Sequence, residues 1–269
     1  MLFAAANFAE DGARVCTLGF DINTERYGNF KNEKSQAQAL SGADIVVLPL
    51  PYSRDGERVF APFSEEEIML CDILPQIGEK SLILGGKLPE KFAARAVDYC
   101  AREDFAVLNA VPTAEGAVKL ALEETKLTLC GMRTAVLGFG RVGKILAKTL
   151  ASLGADVTVF ARKAEARAWA KAFYCKAKNF DVLNAEIGTF DCIFNTIPHK
   201  ILFAEDLARA KRGAVIIELA SAPGGVEAAE AARMGVRFIS AQGLPGKTAP
   251  KSAGKIIYET LKEIIEEEI

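Results

Sequence analysis

The run Ala135-Val136-Leu137-Gly138-Phe139-Gly140-Arg141-Val142-Gly143-Lys144-Ile145-Leu146-Ala147 constrains this chain more than any other segment. A G-x-G-x-x-G pattern by itself is weak. Here it ends an apolar strand and opens an amphipathic helix, and a second strand, Val157-Thr158-Val159-Phe160, follows one helix later. Gly138 permits the tight turn, Gly140 lets the backbone approach a pyrophosphate, and Gly143 lets the helix lie close on the strand. The helix N-terminus offers unpaired N–H groups and partial positive charge to phosphate oxygens. The segment predicts a Rossmann-type dinucleotide-binding domain, with Gly138, Phe139, Gly140, Arg141, Val142 and Gly143 against the phosphates.

An NAD-specific site places Asp or Glu at the end of the second strand to accept from the adenosine ribose. This chain has Ala161-Arg162-Lys163 there. A guanidinium grips a 2′-phosphate bidentately, so the expected cofactor is NADP rather than NAD, held by Arg162 and Lys163. The alternative, that Arg162 stacks on adenine and NAD is also accepted, stays open. The loop Asn195-Thr196-Ile197-Pro198-His199 follows the fourth strand of this half, where such folds cover the nicotinamide ribose. Thr196, Ile197 and Pro198 are candidate cofactor contacts. His199 is the single histidine. It is either an acid–base group, since imidazole titrates near neutrality, or a surface residue.

Short β-branched runs alternate with amphipathic segments from end to end. The fold class expected is α/β, with two parallel-sheet domains, the C-terminal one a Rossmann fold, closed by a C-terminal helix. Residues 1–115 form a flavodoxin-like substrate domain, 116–248 the NADP-binding domain, and 249–269 a helix packing back on the first domain. First-domain strands are predicted at Arg14–Gly19, Asp44–Leu48, Ser81–Leu84 and Ala106–Asn109. Helices are predicted near Glu33–Leu40, Ser64–Gln76 (with Ser64 and Glu67 as a capping box), Pro89–Ala101 and Pro112–Thr128. In the second domain the strands are Thr134–Leu137, Asp156–Phe160, Lys176–Lys178, Cys192–Asn195, Val215–Leu219 and Arg237–Ser240. The chain opens on a helix although every later unit opens on a strand. Either a strand precedes Met1 or the fold begins with a helix.

The formal net charge of −2 gives no general pull toward nucleic acid or anionic membrane. No apolar run looks long enough to span a bilayer, and the opening residues lack the basic leader of a signal peptide. Six cysteines stand without a C-x-x-C pair, a pattern of buried, reduced thiols in a cytoplasmic protein. With one histidine, no metal site is expected.

Ligands of parallel sheets bind beyond the carboxyl ends of strands. That rule selects the loops Pro49–Gly56, Gly85-Gly86-Lys87 (a candidate anion-binding nest), Asn109–Gly116 running into a helix N-terminus, and Gln242–Lys251, all expected to face one interdomain cleft. Arg54, Lys87, Asn109, Thr113, Lys247 and Thr248 are the candidate substrate ligands. Their cations suit a small dicarboxylate.

The run Arg102–Ala117, the stretch Val136–Arg162, the loop Asn195–Pro198, Glu218-Leu219-Ala220-Ser221 and Gly243-Leu244-Pro245-Gly246-Lys247-Thr248-Ala249-Pro250 together resemble the A subunit of bacterial dipicolinate synthase. The PTAEGA and GLPGKTAPK segments are more specific than the glycine fingerprint. That family begins with a strand and glycine-rich turn ahead of the helix that opens this chain. The resemblance implies an oxidoreductase of the mother-cell cytoplasm in sporulating bacteria. It would use NADP to oxidise a dihydropyridine dicarboxylate, derived from 4-hydroxytetrahydrodipicolinate, to dipicolinate. It also implies that the partner is a flavoprotein-like B subunit; homo-oligomers are a further possibility. His199, Glu115 and water are the candidate proton acceptors. Two other readings stay open: another two-domain NADP-dependent dehydrogenase of shikimate or hydroxyacid type, or an NADP-sensing module that signals to a partner.

Overall fold

The computed structural model describes residues 1–22, 24, 26–28, 30–89, 92 and 96–268. They form two units: Met1–Leu108 with Pro250–Ile269, and Asn109–Ala249.

The first unit contains α1 (Leu2–Glu10), β1 (Cys16–Leu18), β2 (Lys31–Glu33), α2 (Gln36–Leu40), β3 (Ile45–Val47), α3 (Leu70–Ile73), β4 (Leu82–Gly85) and β5 (Ala96–Asp98). The long α4 (Glu103–Thr125) starts in this unit. Among the described residues these strands lie in two short parallel sheets, β1-β2 and β3-β4-β5. The closing helix α11 (Pro250–Glu268) packs along α1. Its Ile257, Leu261 and Ile264 share a core with Ala4, Leu84, Tyr99 and Phe105. Gly254 is required at the crossing, because a Cβ there would collide with Phe3 Cβ.

The second unit runs β6 (Arg133–Leu137), α5 (Arg141–Ser152), β7 (Asp156–Phe160), α6 (Ala164–Ala172), β8 (Lys176–Lys178), α7 (Leu183–Glu186), β9 (Cys192–Asn195), α8 (Ala204–Arg209), β10 (Val215–Glu218), α9 (Ala228–Arg233), β11 (Arg237–Ser240) and α10 (Leu244–Thr248). All six strands are parallel in the order β11-β10-β9-β6-β7-β8. This is the doubly wound Rossmann order. Alternate residues serve opposite faces. Val136, Val159, Phe194 and Ile217 face one core with Ala114, Ala117 and Ala121 of α4 and Leu146 and Leu150 of α5. Ala135, Leu137, Phe160, Ile193 and Ile216 face the other. Both faces being covered explains why these strands read as apolar runs.

Several first-unit expectations are corrected. Ala106–Asn109 is not a strand but part of α4, which continues through Pro112. The proline removes one N–H from the helix ladder, and the Thr113 hydroxyl adds a bond to the Asn109 carbonyl at 2.7 Å. Tertiary burial of Ala110, Ala114, Ala117 and Ala121 outweighs the strand preference of the local sequence. The helix expected at Ser64–Gln76 shrinks to α3 and a 3₁₀ turn at Leu74–Gln76. Ser64 caps nothing; its hydroxyl donates to the Glu66 carbonyl, and Glu67 pairs with Arg58. Within Pro89–Ala101 lie β5 and a 3₁₀ turn at Tyr99–Ala101; Glu90, Lys91 and residues 93–95 fall outside the described residues. Of the six cysteines, all free, only Cys175 and Cys192 are fully buried. One described helix, α4, also matches a membrane span in length and mean hydropathy, 1.2. Three of its alanines are nevertheless spent on the second-unit core.

Candidate dinucleotide site

The carboxyl ends of three strands stand side by side: Leu137 of β6 beside Asn195 of β9, and Asn195 beside Glu218 of β10. The strand order reverses between β6 and β9, the position where such sheets bind ligands. Gly138 has φ +94°, and a Cβ on it would lie 2.5 Å from Thr196 Oγ1. The backbone N–H and the hydroxyl of Thr196 both donate to the Leu137 carbonyl, at 2.9 and 2.8 Å. A Cβ on Gly143 would come within 2.5 Å of the Gly138 carbonyl oxygen, so α5 sits directly on the turn.

Gly140 differs. A Cβ there would meet nothing within 4 Å, so the bare backbone borders open space. Gly140 is the N-cap of α5, and no side chain caps that helix. A helix start without a side-chain cap, beside backbone that borders free volume, offers the setting a pyrophosphate requires. The residues present fit a dinucleotide.

On the side of β7, Arg162 and Lys163 are exposed, and Lys163 is the N-cap of α6, again without a side-chain cap. Arg167 donates to the carbonyls of Ala161, at 2.9 Å, and Arg162, at 2.5 Å. It thereby pins the segment that carries both cations. Sequence reasoning passed over Arg167; the available signal was an arginine one turn into the helix behind the strand.

On the side of β9 and β10, Asn195 and Glu218 are buried, at 0 % and 3 % exposure. Asn195 Nδ2 donates to Glu218 Oε1 at 2.7 Å and to the Ile197 carbonyl at 2.9 Å, while its Oδ1 accepts from Ile197 N–H at 3.1 Å. Glu218 further accepts from Ala220 N–H at 3.0 Å and Gly225 N–H at 2.8 Å. Ile197 is tied by these bonds and Thr196 by its bonds to Leu137, and both are half-buried, whereas Pro198 and His199 are exposed. In the sequence Glu218 stands out only within the stretch Glu218–Ser221 that resembles the family.

The predicted substrate residues fall in different settings. Arg54 is exposed, its guanidinium 4.2 Å from the Phe60 ring centroid. It borders a hollow of about 330 Å³ with Arg58, Ser64 and Glu67. Arg58 is paired with Asp55 and Glu67; Arg54 makes no ion pair among the described residues. Lys87 has φ +63°, but the glycine pair beside it is not a vacant nest. Gly86 N–H donates to the Pro49 carbonyl and Lys87 N–H to Asp98 Oδ1. Asn109, Thr113 and Glu115 lie in the body of α4 rather than in a loop before a helix N-terminus. Lys247 and Thr248 end α10, a short helix where a loop was expected; Lys247 is exposed, and Thr248 packs beside Gly116.

This fold and site define a nucleotide-binding protein of the dehydrogenase type. Residues 1–102 match the family described as the N-terminal domain of the dipicolinate synthase A subunit, and residues 111–234 match the D-isomer specific 2-hydroxyacid dehydrogenase, NAD binding domain. The chain is 35 % identical to the dipicolinate synthase A subunit of Bacillus subtilis, over 96 % of this chain and 90 % of that protein. The crystal structure of the dipicolinate synthase A subunit from Bacillus halodurans aligns with TM-score 0.88 at 28 % identity, covering 98 % of this chain and 93 % of that one. The Bacillus subtilis crystal structure aligns with TM-score 0.85 at 32 % identity, covering 99 % and 92 %. The chain belongs to the dipicolinate synthase A-subunit family.

Proposed function

We propose that this chain is the NADP-binding A subunit of a dipicolinate synthase, oxidising a dihydrodipicolinate to dipicolinate in the cytoplasm of a sporulating mother cell. The observation that carries the reading is a complete dinucleotide cradle, with Arg162 and Lys163 where an acceptor carboxylate would select NAD, in a chain similar over nearly its whole length to a member of this family. The nicotinamide, when bound, supplies a hydride acceptor. The N–H groups at Gly140–Gly143 bind the phosphates, and Arg162 and Lys163 receive the 2′-phosphate. Thr196, Ile197 and Pro198 cover the nicotinamide ribose and keep water from it. Arg54, Lys87 and Lys247 are the cations proposed for the substrate carboxylates, with Asn109, Thr113 and Thr248 as further polar contacts, each tested on its own. Aromatisation favours the reaction, so the protein's task is to place the ring carbon that gives up hydride and to accept the one proton released with it. His199, Glu115 or water accepts that proton. A flavoprotein-like B subunit completes the enzyme.

The test is dipicolinate formation, followed by its ultraviolet absorbance, when the chain is mixed with the B subunit, NADP and freshly made 4-hydroxytetrahydrodipicolinate. Formation dependent on both chains is the expected result; none with either dinucleotide overturns the reading. The match to a 2-hydroxyacid dehydrogenase domain favours a second reading, another two-domain dehydrogenase. It predicts nicotinamide reduction with 2-hydroxy acids and no need for a partner.

A further inference from the structure

We infer that Glu218, acting through Asn195, is a positioning residue that sets the nicotinamide half of the dinucleotide site without touching the cofactor. The inference rests on the reading of this domain as a dinucleotide site. In a doubly wound sheet the mononucleotide halves lie on either side of the switch point. The adenosine half falls to β6-β7-β8, and the nicotinamide half to β9-β10-β11.

The carboxylate of Glu218 ends β10 inside the protein and has no cation beside it among the described residues. Its partners are three N–H donors: the Asn195 amide and the backbone N–H groups of Ala220 and Gly225. The asparagine relays this anchor to both backbone polar groups of Ile197. The next link, Thr196 to the Leu137 carbonyl, reaches the glycine turn itself. Two separate loops, 195–197 and 220–225, are thus tied to one buried side chain. The fit is close: a Cβ on Gly225 would collide with Asn195 Nδ2, and one on Gly224 would lie 3.2 Å from Glu218 Oε2.

Burying a carboxylate is costly unless it is fully hydrogen-bonded, and a purely structural tie between two loops does not require a charge. An acceptor-only group is what three converging donors demand. A glutamine at this position would turn its NH₂ toward an N–H donor at one oxygen site or the other. The nearly isosteric substitution is therefore expected to release one of the loops while leaving volume and core packing unchanged.

The test compares two ligands on the intact protein. Full-length wild type, Glu218→Gln and Asn195→Ala are titrated with NADPH and NADH, and with the adenosine-side fragments adenosine 2′,5′-bisphosphate and AMP. The emission of the bound reduced nicotinamide and the thermal midpoint are recorded alongside. For the variants we expect dinucleotide affinity to fall by about tenfold or more while the preferred fragment stays within about twofold. The nicotinamide emission should return toward that of the free cofactor. Equal losses for fragment and dinucleotide, or unchanged emission and affinity, overturn the inference while the dinucleotide site stands. If Glu218→Gln does not fold, Asn195→Ala decides, because it leaves Glu218 bonded to both backbone donors. A wild type that binds neither dinucleotide overturns the site reading, and this inference with it.

Discussion

Arg162 and Lys163 sit at an exposed strand end whose backbone is held by Arg167, so the proposal that they receive a 2′-phosphate is testable by charge reversal. Arg162→Asp should narrow or invert the preference for NADP over NAD, read as the ratio of dissociation constants by calorimetry. A bidentate charge-assisted contact is worth about 1.5–3 kcal/mol, hence roughly tenfold to over a hundredfold in affinity. Equal wild-type constants for the two cofactors would refute the assignment. The glycines separate binding from folding. At Gly140 a valine side chain enters open space, so Gly140→Val should keep the thermal midpoint within a few degrees and abolish dinucleotide affinity. At Gly143 even an alanine Cβ strikes the Gly138 carbonyl, so Gly143→Ala should lower stability as well. The glycine spacing made this cradle legible in the sequence, because each glycine answers a local steric demand. Glu218, Asn195 and Arg167 were not assigned these roles from the sequence. Their work is side-chain-to-backbone bonding across strand ends, which leaves no periodic trace.

Among the elements, legibility followed burial. The strands β6, β7, β9 and β10 are almost wholly buried, and their apolar runs located them to within a residue. β2 is Lys31-Asn32-Glu33 and partly exposed, so no hydrophobic pattern marks it, and β5 has only three half-buried residues. α4 misled because Phe105-Ala106-Val107-Leu108 is as good a strand as a helix until tertiary packing is counted. Two predictions belong here. Gly254→Val would drive a side chain into Phe3 and should destabilise the first unit by about 1–3 kcal/mol, the usual cost of overpacking, seen as a lower denaturant midpoint without loss of dinucleotide binding. The second concerns the junction of α4 and α11, where Arg102 bonds Asp104, Glu263 and Glu267 at 2.9, 3.3 and 2.6 Å. The Arg102 guanidinium holds the Asp104 carboxyl down at about 2, below its ordinary value. A depressed carboxyl contributes stability above its unfolded-state value, and that contribution is lost as pH falls from about 4 through about 2. The groups are largely solvated, so the contribution is under about 1 kcal/mol. Arg102→Ala should flatten this acid limb of the stability profile and reduce its salt dependence.

At the scale of the molecule, the first unit is discontinuous: it is completed by residues that follow the whole second unit in the chain. The closing helix, Pro250–Glu268, is therefore a structural part of a domain that begins at Met1. Its Ile257, Leu261 and Ile264 are buried among Ala4, Leu84, Tyr99 and Phe105, and Lys262 pairs with Asp11 at 2.8 Å. Removing one such buried aliphatic side chain costs about 2–5 kcal/mol. Losing three together approaches or exceeds the roughly 5–15 kcal/mol that holds a domain folded. The core cluster that includes Val136, Phe139 and Leu146 is built from residues of Asn109–Ala249. A chain ending at Ala249 should accordingly lose the cooperative unfolding transition of the first unit, gain protease sensitivity across residues 1–108, and keep its dinucleotide dissociation constant within about threefold. Limited proteolysis with mass spectrometry and a cofactor titration on the same sample would check this. If dinucleotide affinity disappears with the helix, the two units are coupled more tightly than their separate cores imply. If the first unit survives intact, α11 is an accessory and not part of its core.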